Sequence, residues 1–293
     1  MTKPKLSFWQ IWNLSFGFLG VQIGYSLQNS NTSSIFESLG ADVSHLSYFW
    51  LAAPLAGMIV QPIVGLFPDG PWTRWGRRIP YILGGSLISA LALVLMPNCP
   101  KLLAFAPLAM GAFILLFMDL SFNVTMQPFR ALVADMLDDS QKTQGYVVQT
   151  FLINLGAVVG AILPLVMTWL GVSDEAAPGH VSPHIAYSYY AGGAILLLTV
   201  LVTSFKTREY PPGEFARYNN LSEEDAKPMS FVGLMRNVPG VMVRLGVTQF
   251  FSWAALFLMW TYLKPAITGV VTDHATGEVL SAGATQTLSL IHI

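Results

Sequence analysis

Seven stretches of about twenty mostly apolar residues recur along the chain, near 8–29, 45–67, 79–97, 102–127, 145–170, 185–205 and 241–263. About twenty residues is the length at which a helix crosses the hydrocarbon core of a bilayer. Inside lipid no water is available to the backbone, so each stretch must satisfy its own N–H and C=O groups and is confined to a helix. The sequence is 53% hydrophobic and only 11% charged, against about 25% charged for an average soluble domain. An all-α integral membrane protein is the expected fold class. The first stretch is long and carries Gln22, Tyr25, Gln28 and Asn29, which reads as a retained span and not as a cleavable leader.

Net charge is −1 and gives no basis for a nucleic-acid partner; where the charges fall is more informative. With the N-terminus placed in the cytoplasm, that side collects Lys3, Lys5, Arg74, Arg77, Arg78, Arg130, Lys142, Lys206, Arg208, Arg217, Lys227, Arg236 and Arg244, while Lys101 and Lys264 fall opposite. Positive charge concentrates on the cytoplasmic side of membrane proteins, so the asymmetry predicts a cytoplasmic N-terminus. The polar stretch 206–237, with Pro211-Pro212-Gly213 and Glu223-Glu224-Asp225, is too charged to enter lipid and reads as a cytoplasmic linker. The expected organisation is a six-helix bundle over 1–205, the linker 206–237, and over 238–293 the start of a second bundle with an external tail. No run after Pro265 is long enough to cross a membrane, so the second bundle is expected to be truncated and the chain a fragment.

Asp119, Asn123, Gln127 and Arg130 stand at i, i+4, i+8 and i+11 of the fourth span and share one helix face. A carboxylate deep in a span must look into protein or a water-filled path, where it usually handles protons, ions or substrate. Asp119 and Arg130 lie about 16 Å apart along the axis, too far for a direct pair, so each needs a partner elsewhere. Arg130 could instead end the helix and snorkel to the headgroups. On the first span Gln22, Tyr25, Ser26 and Asn29 form a polar stripe, and Gln149 and Asn154 add amides to the fifth. Such groups suit a hydroxyl-rich ligand, with Trp253, Trp260 and Tyr262 of the seventh span available to pack on its C–H faces. Amides also join helices in membranes, and Trp and Tyr gather at interfaces, so single residues of this set carry little weight. Gly156 and Gly160 have the spacing of a close helix contact.

The single cysteine, Cys99, leaves no disulfide and no metal cluster, and no cofactor is expected. Neither a nucleophile beside a base nor a paired acid and base can be assembled, which argues against a membrane-embedded enzyme. A seven-helix receptor and a channel are the other readings; a cytoplasmic N-terminus and a lone buried acid speak against them.

The loop Gly65-Leu66-Phe67-Pro68-Asp69-Gly70-Pro71-Trp72-Thr73-Arg74-Trp75-Gly76-Arg77-Arg78 joins the second and third spans. Its Gly65, Asp69, Gly76, Arg77 and Arg78 resemble the gating loop of the major facilitator superfamily, although Gly70 stands where that pattern has a basic residue and Pro68 and Pro71 bracket the site. Gly20 to Gln28, Trp50 to Gly57, Val60 to Gly65 and Arg130 to Asp135 are similar to the glycoside-type sucrose and maltose symporters, over about residues 8–265. The resemblance implies a major facilitator-type six-helix N-terminal bundle plus the first helix of an incomplete second one. It also implies symport of a disaccharide with a proton by alternating access, in the cell membrane and specifically a bacterial inner membrane. By that resemblance Asp119 would be the proton-coupling residue and Arg130 would bind sugar, and the polar faces read above add Asn123, Gln127, Gln22, Tyr25 and Asn29, with Trp253, as candidate sugar contacts. The partners so implied are the disaccharide, the proton, the lipid bilayer and the missing C-terminal bundle; a facilitator of another small polar solute is the alternative.

Overall fold

A computed structural model of the protein describes residues 3–41, 72–177, 179–219 and 239–270. It separates into two units, Met1–Pro228 and Met229–Ile293. In the first unit α1 (Phe8–Ser38) opens on a capping box: the Ser7 hydroxyl accepts from the Gln10 N–H while the Gln10 side chain accepts from the Ser7 N–H, so two donors of the first turn are satisfied. Then come α2 (Ile79–Leu95), a 3₁₀ turn (Met96–Asn98), α3 (Cys99–Leu102) and α4 (Pro107–Met136). They are followed by α5 (Asp139–Trp169), α6 (Pro183–Lys206) and α7 (Pro212–Asn219). Prolines sit in the first turns of α2, α4 and α6, where the missing N–H costs nothing. Asp138 caps α5 by accepting from the Ser140 N–H and hydroxyl. The second unit contributes α8 (Gly240–Val270).

Within the first unit α1 packs on α4, α5 and α6, and α2 packs on α4 and α6. Close approach is set by glycines. A Cβ on Gly160 of α5 would stand 2.5 Å from the Ile23 carbonyl oxygen of α1, and one on Gly156 would collide with the Leu19 carbonyl, so the sequence spacing marks a true backbone contact. On the other side of α1, a Cβ on Gly20 would lie 2.7 Å from Leu196 Cα of α6. The Ser26 hydroxyl donates to the Ala157 carbonyl across the α1–α5 seam at 2.7 Å. The Thr203 hydroxyl of α6 accepts from the Gly17 N–H at 2.7 Å and donates to the Asn13 carbonyl at 2.8 Å. It thereby bridges a pair that a helix would join directly, tying α6 to the α1 backbone.

Four helical segments, Ile79–Leu102, Pro107–Met136, Asp139–Trp169 and Pro183–Lys206, are long and apolar enough to cross a membrane by length and composition. They correspond to the third through sixth apolar stretches. The second stretch, 45–67, lies outside the described residues. α1 is not among the four: it carries Gln28, Asn31 and Thr32, all buried inside the bundle. Contact with three neighbouring helices explains this, because polar groups in a span are tolerated where protein and not lipid surrounds them. α1 also runs past residue 29, and α4 continues to Met136, so Arg130 lies within a helix and does not terminate it.

Candidate functional site

Asp119 sits near the middle of α4, 3% exposed. The partner required for it is Gln28 of α1, whose side-chain N–H donates to one carboxylate oxygen in a short contact. The other carboxylate oxygen and the Gln28 carbonyl oxygen are buried with no hydrogen-bond partner among the described residues. Three acceptor oxygens thus meet at this contact and, among the described residues, a single donor serves one of them, an arrangement costly for an ionised carboxylate. The stripe then climbs out of the core: Asn123 is half-buried and donates to the Asp119 carbonyl, Gln127 is half-buried, and Arg130 is exposed. Pro128 stands inside this part of α4 and leaves the Val124 carbonyl without its helical donor.

From α1, the Tyr25 ring meets Phe122 of α4 edge-on at 5.7 Å. Its hydroxyl lies near Asn29 and within electrostatic range of both Asp119 and Arg130, so Tyr25 links the α1 stripe to the two charged residues of α4. Gln22 is half-buried, with its side-chain carbonyl unpartnered among the described residues. Ser26 leaves the stripe for the α5 seam, and Gln149 donates to the Phe129 carbonyl of α4; both join helices. Trp253 lies on α8 in the second unit, and the side chains of Trp260 and Tyr262 lie outside the described residues. No group of three or more His, Cys, Asp or Glu residues suited to a metal occurs among the described residues.

The second constellation gathers at the end of the bundle where α1, α2 and α5 begin and α4 and α6 finish. Arg77 Nη2 and Arg78 Nε both donate to Asp135 Oδ2 of α4, at 2.7 and 2.5 Å. The Glu209 carboxylate, just past α6, accepts from the backbone N–H groups of Arg77, Arg78 and Ile79 at 2.9 to 3.1 Å. It caps α2 with a full negative charge at the positive end of the helix dipole. Gly76 makes this possible: its φ is +111°, and a Cβ there would stand 2.6 Å from Glu209 Oε1. The Arg77 guanidinium also lies 4.4 Å above the Phe215 ring of α7. Gly65 and Asp69 of the same loop lie outside the described residues.

The N-terminal segment docks at the same end. Gln141 of α5 accepts from the Leu6 N–H at 2.9 Å and donates to the Leu6 carbonyl at 2.8 Å. Lys3 is 8% exposed and reaches the Ala134 carbonyl. Burial, helped by Lys142, pushes the Lys3 ammonium below the usual lysine value against the pull of Asp135, Asp139 and Asp138. The Asp138 carboxyl is held below the ordinary carboxylate value, first by the Ser140 hydroxyl and then by the Ser140 N–H. Sequence reasoning missed Gln28 and Glu209 as site residues. Asp135 entered only inside a motif, though an acid near a helix end opposite an Arg pair was a usable signal.

Residues 35–272 match the family described as MFS/sugar transport protein. The chain is 27% identical over 267 residues to the sucrose transport protein SUT1 of Oryza sativa subsp. japonica, covering 82% of this chain and 49% of that protein. It is 25% identical over 283 residues to the general alpha-glucoside permease of Schizosaccharomyces pombe, with 89% and 48% covered. Identity to the sucrose transport protein SUC4 of Arabidopsis thaliana is 27% over 259 residues, with 81% and 50% covered. The chain spans about half the length of these curated relatives. The matched family is one of transporters and not of enzymes, and its members are multi-pass membrane proteins. With most of its length matched, this chain belongs to the MFS/sugar transport protein family.

Proposed function

We propose that the first unit is the six-helix N-terminal bundle of a proton-coupled disaccharide symporter, with α8 the first helix of the second bundle and the N-terminus cytoplasmic. Asp119 carries the proton, and Tyr25, Asn29, Asn123, Gln127 and Arg130, with Gln22, contact a sucrose- or maltose-like glucoside during alternating access. The observation that carries this reading is the buried Gln28–Asp119 pair with its two unpartnered oxygens. A proton on Asp119 removes the charge and turns one of the two bare acceptors into a donor, so loading the site changes what the α1–α4 contact can hold. The names of the relatives supply the sugar class, and the basic end of the bundle supports the orientation.

The ionic cluster Arg77–Asp135–Arg78 with Glu209 serves, in this reading, to keep α2, α4 and the segment after α6 moving as one body while the bundle rocks. The test is uptake of radiolabelled sucrose and maltose by vesicles carrying the complete transporter to which this bundle is assigned, with and without an inward proton gradient. Accumulation above equilibrium only with the gradient is the expected result. Uptake that equilibrates regardless of the gradient would make the protein a facilitator, and failure to take up either sugar would move the substrate elsewhere among small polar solutes.

A further inference from the structure

A groove of about 390 Å³ lies between the start of α1 and the end of α6, lined by Trp9, Trp12, Asn13, Phe16, Val202 and Lys206. Because α1 runs away from the basic end of the bundle and α6 runs toward it, these residues are ordered in depth. Trp9 and Lys206 stand at the mouth. Asn13 comes next, level with Thr203 through the hydrogen bond that joins them, about 4.5 Å, just under one helical turn, inside Lys206. Phe16 and Val202 lie deepest. Polarity therefore falls from a cation and an amide at the mouth to purely apolar groups within.

Among the described residues the polar groups are uncommitted. The Trp9 and Trp12 indole N–H groups, the Asn13 amide and the Lys206 ammonium make no hydrogen bond or ion pair with another described residue. Trp9 is 68% exposed, and Trp12 is braced against Phe151 of α5 at 6.1 Å. A soluble anion would use the mouth and leave Phe16 and Val202 idle; a purely apolar chain would leave the ammonium and amide idle. A phospholipid in the adjoining leaflet uses both, since indoles favour the headgroup level and lysine stems reach toward phosphate.

We infer that this groove binds one anionic glycerophospholipid, its phosphate held by Lys206 and Asn13 and one acyl chain lying along Phe16 and Val202. The inference rests on the chain being a membrane protein and is independent of the sugar and of the coupling ion, so it stands or falls apart from the proposed transport.

The test uses the full chain in phosphatidylcholine nanodiscs doped with either phosphatidylglycerol or phosphatidylcholine brominated on the acyl chains. Quenching due to Trp9 and Trp12 is obtained by subtracting the signal of the Trp9→Phe, Trp12→Phe double variant. Brominated phosphatidylglycerol is expected to quench at several-fold lower mole fraction than brominated phosphatidylcholine. Lys206→Gln should erase about a fivefold preference, the scale of one basic residue at an anionic surface, with Lys206→Arg restoring it. Lys5→Gln, at the same end but outside the groove, should leave it intact, and circular dichroism confirms that each variant is helical. Equal quenching by the two lipids, a preference unmoved by Lys206→Gln, or no quenching by either lipid because protein covers the groove would each overturn the inference.

Discussion

At the basic end of the first unit, one carboxylate, Asp135, holds two guanidinium groups, and a second, Glu209, accepts from three consecutive backbone N–H groups. Midway along the bundle a third carboxylate, Asp119, has, among the described residues, a single donor from Gln28, and two buried oxygens remain bare. The same side-chain chemistry is used in opposite ways. A carboxylate saturated with cationic and N–H donors is fixed in one state and ties elements together. An undersupplied one, buried, sits where gaining or losing a proton changes the local hydrogen bonding most. The first region is built to persist, and the second is the one proposed to exchange a proton.

The largest separation between them should appear with Asp119→Asn. This change keeps the shape and supplies a donor, and is expected to lower gradient-driven sugar accumulation about 100-fold, the lower range of a positioned proton-transfer group. The unfolding midpoint in detergent should move little. Next is Asp135→Ala, which strands Arg77 and Arg78. It should cost about 2 kcal/mol, the scale of hydrogen bonds to charged groups, read as a lowered unfolding midpoint. That figure is smaller than for a fully buried pair because these side chains are 9 to 21% exposed. Glu209→Gln retains an acceptor and loses the charge, and should cost about 1 kcal/mol by weakening the cap on α2. Amide exchange at Arg77 to Ile79 should rise with it, while exchange at Asn123 stays unchanged.

The smallest effect concerns Lys3. Its pKa is below the ordinary 10.5 in the folded chain, so the unfolded chain binds more protons between the two values. Stability contributed here is therefore gained as pH rises through the folded value toward 10.5. Lys3→Gln should flatten that slope in alkaline unfolding curves, leaving acid unfolding alone. Asp138 has the same sense at the acid end: its lowered pKa stabilises above the ordinary carboxylate value, and the contribution is lost as pH falls through the folded one.

Much of this was legible from the sequence. The apolar stretches located α2, α4, α5 and α6, and the spacing of Gly156 and Gly160 marked a close contact on α5 without naming its partner, because both signals are local and periodic. Asp119 stood out since a carboxylate in a span is rare. Gln28 did not. Gln28 lies at the edge of the stripe of Gln22, Tyr25 and Asn29, i+3 from Tyr25 but about 100° round from Asn29. Its importance depends on Asp119 of α4 standing opposite it, which no spacing within α1 reveals. Glu209 was hidden in a charged stretch read as linker. Its role appears only when the segment after α6 folds back over the start of α2, a contact between residues more than a hundred positions apart. The depth of the α1 helix in the bundle also explains why its polar residues lowered its hydropathy without removing it from the fold.

Whether Asp119 carries the coupled proton, as proposed, can be read from alkalinisation of a weakly buffered medium when sugar is added to vesicles or cells bearing the complete transporter. A sugar-dependent rise in external pH is expected that vanishes in Asp119→Asn while that variant still exchanges labelled for unlabelled sugar. A rise of undiminished size in Asp119→Asn would contradict it and place the proton on another group.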